Sequence, residues 1–247
     1  MVLSMKIERT TVLITGASRG LGKALAKRMA DGGARVVMVA RGREELDRAV
    51  TEARSGGGEA HGITFDVAEK SAVHRISGAA AALVGPIDIL VHAASSLGPL
   101  PMPLLLDTEC EDFGAVIETN LLAPFRLTKA IAGSMLLRER GLVMFVSSDA
   151  AIDAYPRWGA YGVSKAAQDH LARSFASEIP NVRFLAVDPG EMDTQMHADA
   201  LPDADRAKLA KPSDVAGKIV TIVRCASSIP NGARLRAADF AIEGGTR

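Results

Sequence analysis

The sequence predicts an α/β fold: a doubly wound parallel β-sheet with helices on both faces, in a single domain over 1–247. Three observations carry that expectation. Short β-branched runs alternate with longer segments of helical spacing. The runs are almost wholly apolar, as strands covered on both faces must be. A glycine-rich turn joins the first run to the first helix.

Strands are expected at 11–15 (TVLIT), 35–40 (RVVMVA), 61–66 (HGITFD), 87–93 (IDILVHA), 142–148 (LVMFVSS) and 182–188 (VRFLAVD). Helices are expected at Gly20–Asp31, Glu44–Arg54, Lys70–Leu83, Thr108–Asn120, Pro124–Arg138, Ala160–Ser177 and Ser213–Ala226. The glycines at 54–60 (RSGGGEA) read as a helix-to-strand turn rather than a domain boundary. The proline-rich loop at 96–107 lies beyond a strand's carboxyl end, the edge where open α/β sheets bind ligands; it either lines a pocket or packs against a neighbouring subunit. The segment 192–212 is polar, alanine-rich and long for a connection, and reads as a mobile lid over substrate.

Composition narrows the function. With 48% hydrophobic residues the chain fills a sizeable core, and its 29 basic and 29 acidic side chains are scattered, which argues against nucleic acid or a membrane surface as partner. No apolar stretch reaches the length of about 18 residues needed to span a bilayer. Lys6, Glu8 and Arg9 precede a short apolar run that ends in a glycine turn, so no export signal is expected. Cys110 and Cys225 are far apart, with no CxxC and no nearby histidine pairs; no metal site is expected, and a reducing cytoplasm fits.

The turn TGASRGLG, Thr15 to Gly22, sits between strand and helix. Gly16 allows a sharp turn, Gly20 lets the backbone approach a pyrophosphate and Gly22 permits close packing of helix on strand, while the helix N-terminus attracts the anion. The alternative is an ordinary βα turn; the GxxxGxG spacing in this context favours a dinucleotide. The second strand ends in Ala40 and Arg41, where an acidic residue would select NAD. With Arg19 nearby, a 2′-phosphate is favoured, hence NADP(H); the competing reading makes both arginines solvated surface groups. Asp66 hydrogen-bonds the adenine, caps the following helix, or does both.

Further along, YGVSK places Tyr161 and Lys165 four positions apart, hence on one helical face. A nearby ammonium favours phenolate and is expected to lower a pKa that is normally about 10.

Together TGASRGLG, Asn120 in ETNLLAPF, Ser148 in VSSDA, YGVSK and DPGEMDT at 188–194 resemble the single-domain short-chain dehydrogenases/reductases, in that family's order and over nearly the whole chain. The resemblance implies a Rossmann-like fold and a catalytic set of Asn120, Ser148, Tyr161 and Lys165. Tyr161 would be the general acid/base and Lys165 its electrostatic partner. Ser148, thirteen positions before Tyr161, would hold the substrate oxygen, and Asn120 would kink its helix and anchor a relay water. It also implies cofactor contacts from Gly16, Ser18, Arg19, Gly20, Leu21, Gly22, Arg41, Asp66, Val67, Ala93, Ala94, Tyr161, Lys165, Pro189, Gly190, Met192 and Thr194, with Pro189 and Gly190 beside the nicotinamide and Thr194 at its carboxamide. HAAS, His92 to Ser95, replaces the family's usual Asn-Asn-Ala-Gly turn; His92 reads as a packed strand-end residue.

Ile152, Tyr155, Trp158, Met192, Met196 and His197 are candidate walls for a moderately apolar substrate; Trp158 either stacks on it or covers the core. The expected function is an NADP(H)-dependent oxidoreductase interconverting a ketone or aldehyde and an alcohol, as a homodimer or homotetramer. The alternative is a non-catalytic NADP(H)-sensing protein on the same scaffold.

Overall fold

In the computed structural model, which describes residues 6–242, seven strands form one parallel sheet in the order β3-β2-β1-β4-β5-β6-β7. The expected single domain runs past these limits, and its first and last five residues lie outside the described range. The strands are β1 (Thr11–Thr15), β2 (Arg35–Ala40), β3 (Glu59–Thr64), β4 (Ile89–His92), β5 (Leu142–Val146), β6 (Arg183–Asp188) and β7 (Arg234–Arg236). The helices are α1 (Gly20–Asp31), α2 (Arg43–Arg54), α3 (Ala72–Val84), α4 (Cys110–Ile117), α5 (Ala123–Leu137), α6 (Gly159–Glu178), α7 (Gln195–Ala200) and α8 (Pro212–Arg224).

Alternation along each strand explains why the apolar runs are continuous. Val12 and Ile14 of β1 and Val36 and Met38 of β2 pack with Leu25 of α1, Leu46 of α2 and Ile219 of α8. Leu13 and Val37, one residue out of step, face the opposite layer with Ile76 of α3, Ile131 of α5 and Ala172 of α6. Successive side chains point to opposite faces, so both must be apolar. Each large aliphatic side chain so buried contributes about 1.5–3 kcal/mol.

Two departures from expectation have physical causes. β7 is absent from the expected strands, and its residues Arg234–Arg236 carry no apolar run because they pair at the sheet edge, Ala186 with Arg234 and Asp188 with Arg236. The two helices expected at Thr108–Asn120 and Pro124–Arg138 are one continuous run, α4 passing into α5 through a π-helical turn at Glu118–Leu122. The inserted turn widens the backbone ladder where Pro124, at the first turn of α5, cannot donate.

Strand order reverses between β1 and β4. The crevice beyond their carboxyl ends is therefore the place for a ligand.

Candidate active site

A cavity of about 750 Å³ opens at that crevice. It runs from Arg41 and Asp66, past the glycine turn, to Ser148, Tyr161 and Lys165, and ends under α7. Every expected catalytic or cofactor-binding residue lines it except Asn120.

The glycines are demanded by close approach. Gly16 has φ +68°, and a Cβ there would stand 2.7 Å from the Ala94 backbone. One at Gly22 would meet the Gly16 carbonyl oxygen at 2.3 Å. The backbone path beside Gly16 is kept by HAAS itself, since the Ala94 amide donates to Thr15 Oγ1 at 3.2 Å. At the start of α1 no side chain caps the helix and the first turn holds no acid, so its amides and dipole face the cavity uncompensated. The cradle therefore fits a dinucleotide pyrophosphate. Arg19 is exposed at the α1 N-cap, and Arg41, its side chain 74% exposed, stands 3.9 Å from Asp66. Asp66 Oδ1 accepts from the Ala68 amide at 2.9 Å, capping the turn after β3; it does not cap α3, which begins only at Ala72. At the opposite wall the Gly190 amide donates to Asp188 Oδ1 at 2.9 Å, and Thr194 Oγ1 caps α7 through the His197 amide at 3.2 Å.

Tyr161 and Lys165 share the inward face of α6, and both are buried. Lys165 Nζ lies 5.4 Å from the Tyr161 ring centre and donates to the Val146 carbonyl at 2.7 Å and to Gln168 Oε1 at 3.3 Å. The expected acidification of the phenol does not follow from the protein's own charges. Burial dominates and pushes Tyr161 up to about 12, aided by Asp149 and Asp188, while the nearby Ser148 and Ser95 hydroxyls pull it partly back. The same desolvation lowers Lys165 to about 8, with Asp169 opposing. A lysine that is itself dehydrated, and sits over the ring instead of beside the hydroxyl, cannot outweigh the phenol's own burial.

Ser148 is half-buried at the end of β5, and its hydroxyl donates to Asp149 Oδ1 at 2.8 Å; Asp149 Oδ2 accepts from the Tyr155 hydroxyl at 3.0 Å. Asn120 is fully buried in the π-helical turn. Its Oδ1 accepts from Ser95 Oγ at 3.2 Å and from the Ser96 amide at 2.8 Å, and its Nδ2 donates to the Ser96 carbonyl and to Ser164 Oγ, both at 2.9 Å. Where the resemblance implies a water, the Asn120 carbonyl accepts from Gln168 Nε2 at 2.5 Å, and the same side-chain amide reaches Lys165. Gln168, Ser95 and Asp149 escape sequence reasoning because their roles depend on neighbours distant in sequence; Gln168 alone leaves a signal, three positions after Lys165 on the same helix.

His92 is packed: its Nε2 lies 2.8 Å from Thr128 Oγ1, its ring stacks on Phe145 at 5.0 Å, and burial lowers it to about 3. Trp158 meets Tyr161 edge-on at 5.5 Å and lines the cavity, so it packs on one side and faces the ligand space on the other. Tyr155, Met192, Met196 and His197 line the cavity, whereas Ile152 is 67% exposed and does not. In the 96–107 loop Ser96 and Leu97 line the cavity, while Leu105 and Leu106 are exposed.

Residues 10–205 match the family model described as short chain dehydrogenase. The chain belongs to the short-chain dehydrogenase family. It is 33% identical to a short chain dehydrogenase of Pseudocercospora fijiensis, over 94% of this chain and 81% of that one. Among solved structures it is similar to a single-residue variant of actinorhodin polyketide ketoreductase with NADPH, at TM-score 0.85 and 26% identity, covering 94% of this chain and 97% of that one. The fold alone is shared with NAD+-bound xylitol dehydrogenase, at TM-score 0.84 and 23% identity over 94% and 98%. As a short-chain dehydrogenase the protein is an oxidoreductase that uses a nicotinamide cofactor and acts on a small molecule.

Proposed function

We propose that the protein is an NADP(H)-dependent oxidoreductase interconverting a ketone or aldehyde and the corresponding alcohol, with Tyr161 as general acid/base. The observation that carries this reading is the placement of Tyr161: it is buried at the far end of the cavity that begins at the glycine turn, with Ser148 and Ser95 lining the same space and Lys165 over its ring.

The glycine turn and the α1 N-terminus would hold the pyrophosphate, Asp66 and Val67 the adenine end, and Ala93, Ala94, Pro189, Gly190, Met192 and Thr194 the nicotinamide end. Arg19 and Arg41, with Ala40 where an acid would select NAD, support NADP(H). When bound, the nicotinamide exchanges hydride with the substrate carbon and, when oxidised, brings the positive charge that favours the Tyr161 phenolate.

The chain's own residues manage the oxygen and its proton. In reduction Tyr161 donates its proton to the carbonyl oxygen, and in oxidation its phenolate removes the alcohol proton. The Ser148 hydroxyl turns from Asp149 to donate to the same oxygen, stabilising the charge that grows there. Asn120 fixes the 95–96 backbone at the site's edge. The 192–212 segment, with Met196 and His197 of α7 against the cavity, would close over substrate and exclude water. Exposed Leu122 in the π-helical turn, Phe125 and Leu137 on α5 and Val163 on α6 support a homodimer or homotetramer.

NADPH oxidation against a panel of ketones and aldehydes tests this reading. Turnover with at least one compound, faster with NADPH than with NADH, is expected. A protein that binds NADPH and turns over none would instead be a cofactor-binding protein without activity.

A further inference from the structure

The sheet edge that leaves no apolar signature in the sequence carries a side chain aimed at the site. Arg234 of β7 pairs beside Ala186 of β6, and its guanidinium meets three elements at once. Nε donates to Asp169 Oδ2 at 2.9 Å, and Nη2 donates to the Ser148 carbonyl at 2.8 Å and to Asp188 Oδ2 at 3.1 Å. The three side chains are 18%, 5% and 8% exposed for Arg234, Asp169 and Asp188. Asp169 lies one helical turn beyond Lys165, and Asp188 holds the Gly190 amide. The cluster thus touches the helix of Tyr161 and Lys165, the peptide of Ser148 and the turn at Pro189–Gly190.

We propose that Arg234 is a positioning residue of the active site: one guanidinium locks α6, the Ser148 peptide and the Asp188–Gly190 turn in register and neutralises the two carboxylates that stand behind Tyr161 and Lys165. The rigid fork is what the arrangement requires, because Nε and Nη2 together reach three acceptors on three elements. Without it two buried carboxylates would lose the one cation that hydrogen-bonds them both. Around Tyr161 the charged groups are Lys165, Asp149 and Asp188. Lys165 faces Asp169 and the neutral His92, and Asp169 faces Arg234 and Arg173. Asp169 already opposes the desolvation of Lys165, so removing its partner strengthens that pull upward.

The role rests on the oxidoreductase reading for its effect on turnover, but its charge effect can be read without turnover. The Lys165 titration is followed by NMR of 13Cε-labelled lysine in full-length protein, its signal assigned by its loss in Lys165→Met. Arg234→Met, folded by circular dichroism, is expected to move the Lys165 midpoint up by about one pH unit. It should also lower kcat at least about tenfold with KM little changed. Arg234→Lys restores the charge without the fork, so the midpoint returns near the wild-type value while kcat stays low. A folded Arg234→Met with wild-type midpoint and kcat, losing only thermal stability, overturns the assignment. If Arg234→Met does not fold, Arg234→Lys decides: reduced kcat at an unchanged midpoint supports it, and wild-type kcat overturns it. A wild-type protein that turns over no carbonyl compound strikes the proposed carbonyl–alcohol function, and the Lys165 midpoints in the two variants then decide the charge role of Arg234 by themselves.

Discussion

Lys165 lies over the ring of Tyr161, its Nζ 5.4 Å from the ring centre, and donates to the Val146 carbonyl at 2.7 Å in place of the phenol oxygen. The two groups titrate far apart, Lys165 at about 8 and Tyr161 at about 12. Alcohol oxidation, which needs the phenolate, is therefore expected to rise with pH by up to about tenfold per unit below the pKa the phenol has in the complex. Carbonyl reduction, which needs the neutral phenol, should show no such rise over the same range. Initial rates in both directions between about pH 6 and 9 check this; a flat oxidation profile would contradict it.

Acid stability should report His92. The unfolded chain takes up this proton near 6.5 and the folded chain only at about 3, so between those values the unfolded state binds more protons. Stability is complete above pH 6.5 and falls by about 1.4 kcal/mol per unit as pH drops toward 3. His92→Gln removes this titration, and although it loses the stack on Phe145 its acid slope should be shallower. Urea unfolding at several pH values measures the slope; equal slopes in variant and wild type would count against a neutral, buried His92.

The exposed Arg41 is expected to matter for the cofactor and little for the fold. Arg41→Ala should weaken NADPH binding about tenfold or more and leave NADH binding nearly unchanged, because only NADPH carries the 2′-phosphate. Fluorescence titration with both cofactors checks it. Equal weakening would remove the argument for NADP(H).

Much of this architecture is legible in the sequence because a parallel sheet needs apolar residues on both strand faces: Val12, Leu13 and Ile14 announce β1 in a row. β7 hides because an edge strand of three residues with two arginines has no such signature. Family order brings Ser148, Tyr161 and Lys165 to one cavity, and Asn120 just outside it. Other relationships are invisible in one dimension. Arg234 meets partners 46, 65 and 86 positions away, and Asn120 Oδ1 meets its amide donor 24 positions back. The phenol's pKa departs from expectation for a related reason: helical spacing reveals the ammonium beside Tyr161 but not the depth of burial that opposes it.

The central claim is that the Tyr161 hydroxyl carries the proton exchanged with substrate. Tyr161→Phe removes that one oxygen and keeps the ring against Trp158. NADPH affinity and kcat measured on the same preparation test it most directly: binding within about twofold of wild type with kcat reduced about a hundredfold to ten-thousandfold is the predicted result. A variant that binds NADPH normally and retains wild-type kcat would contradict the account.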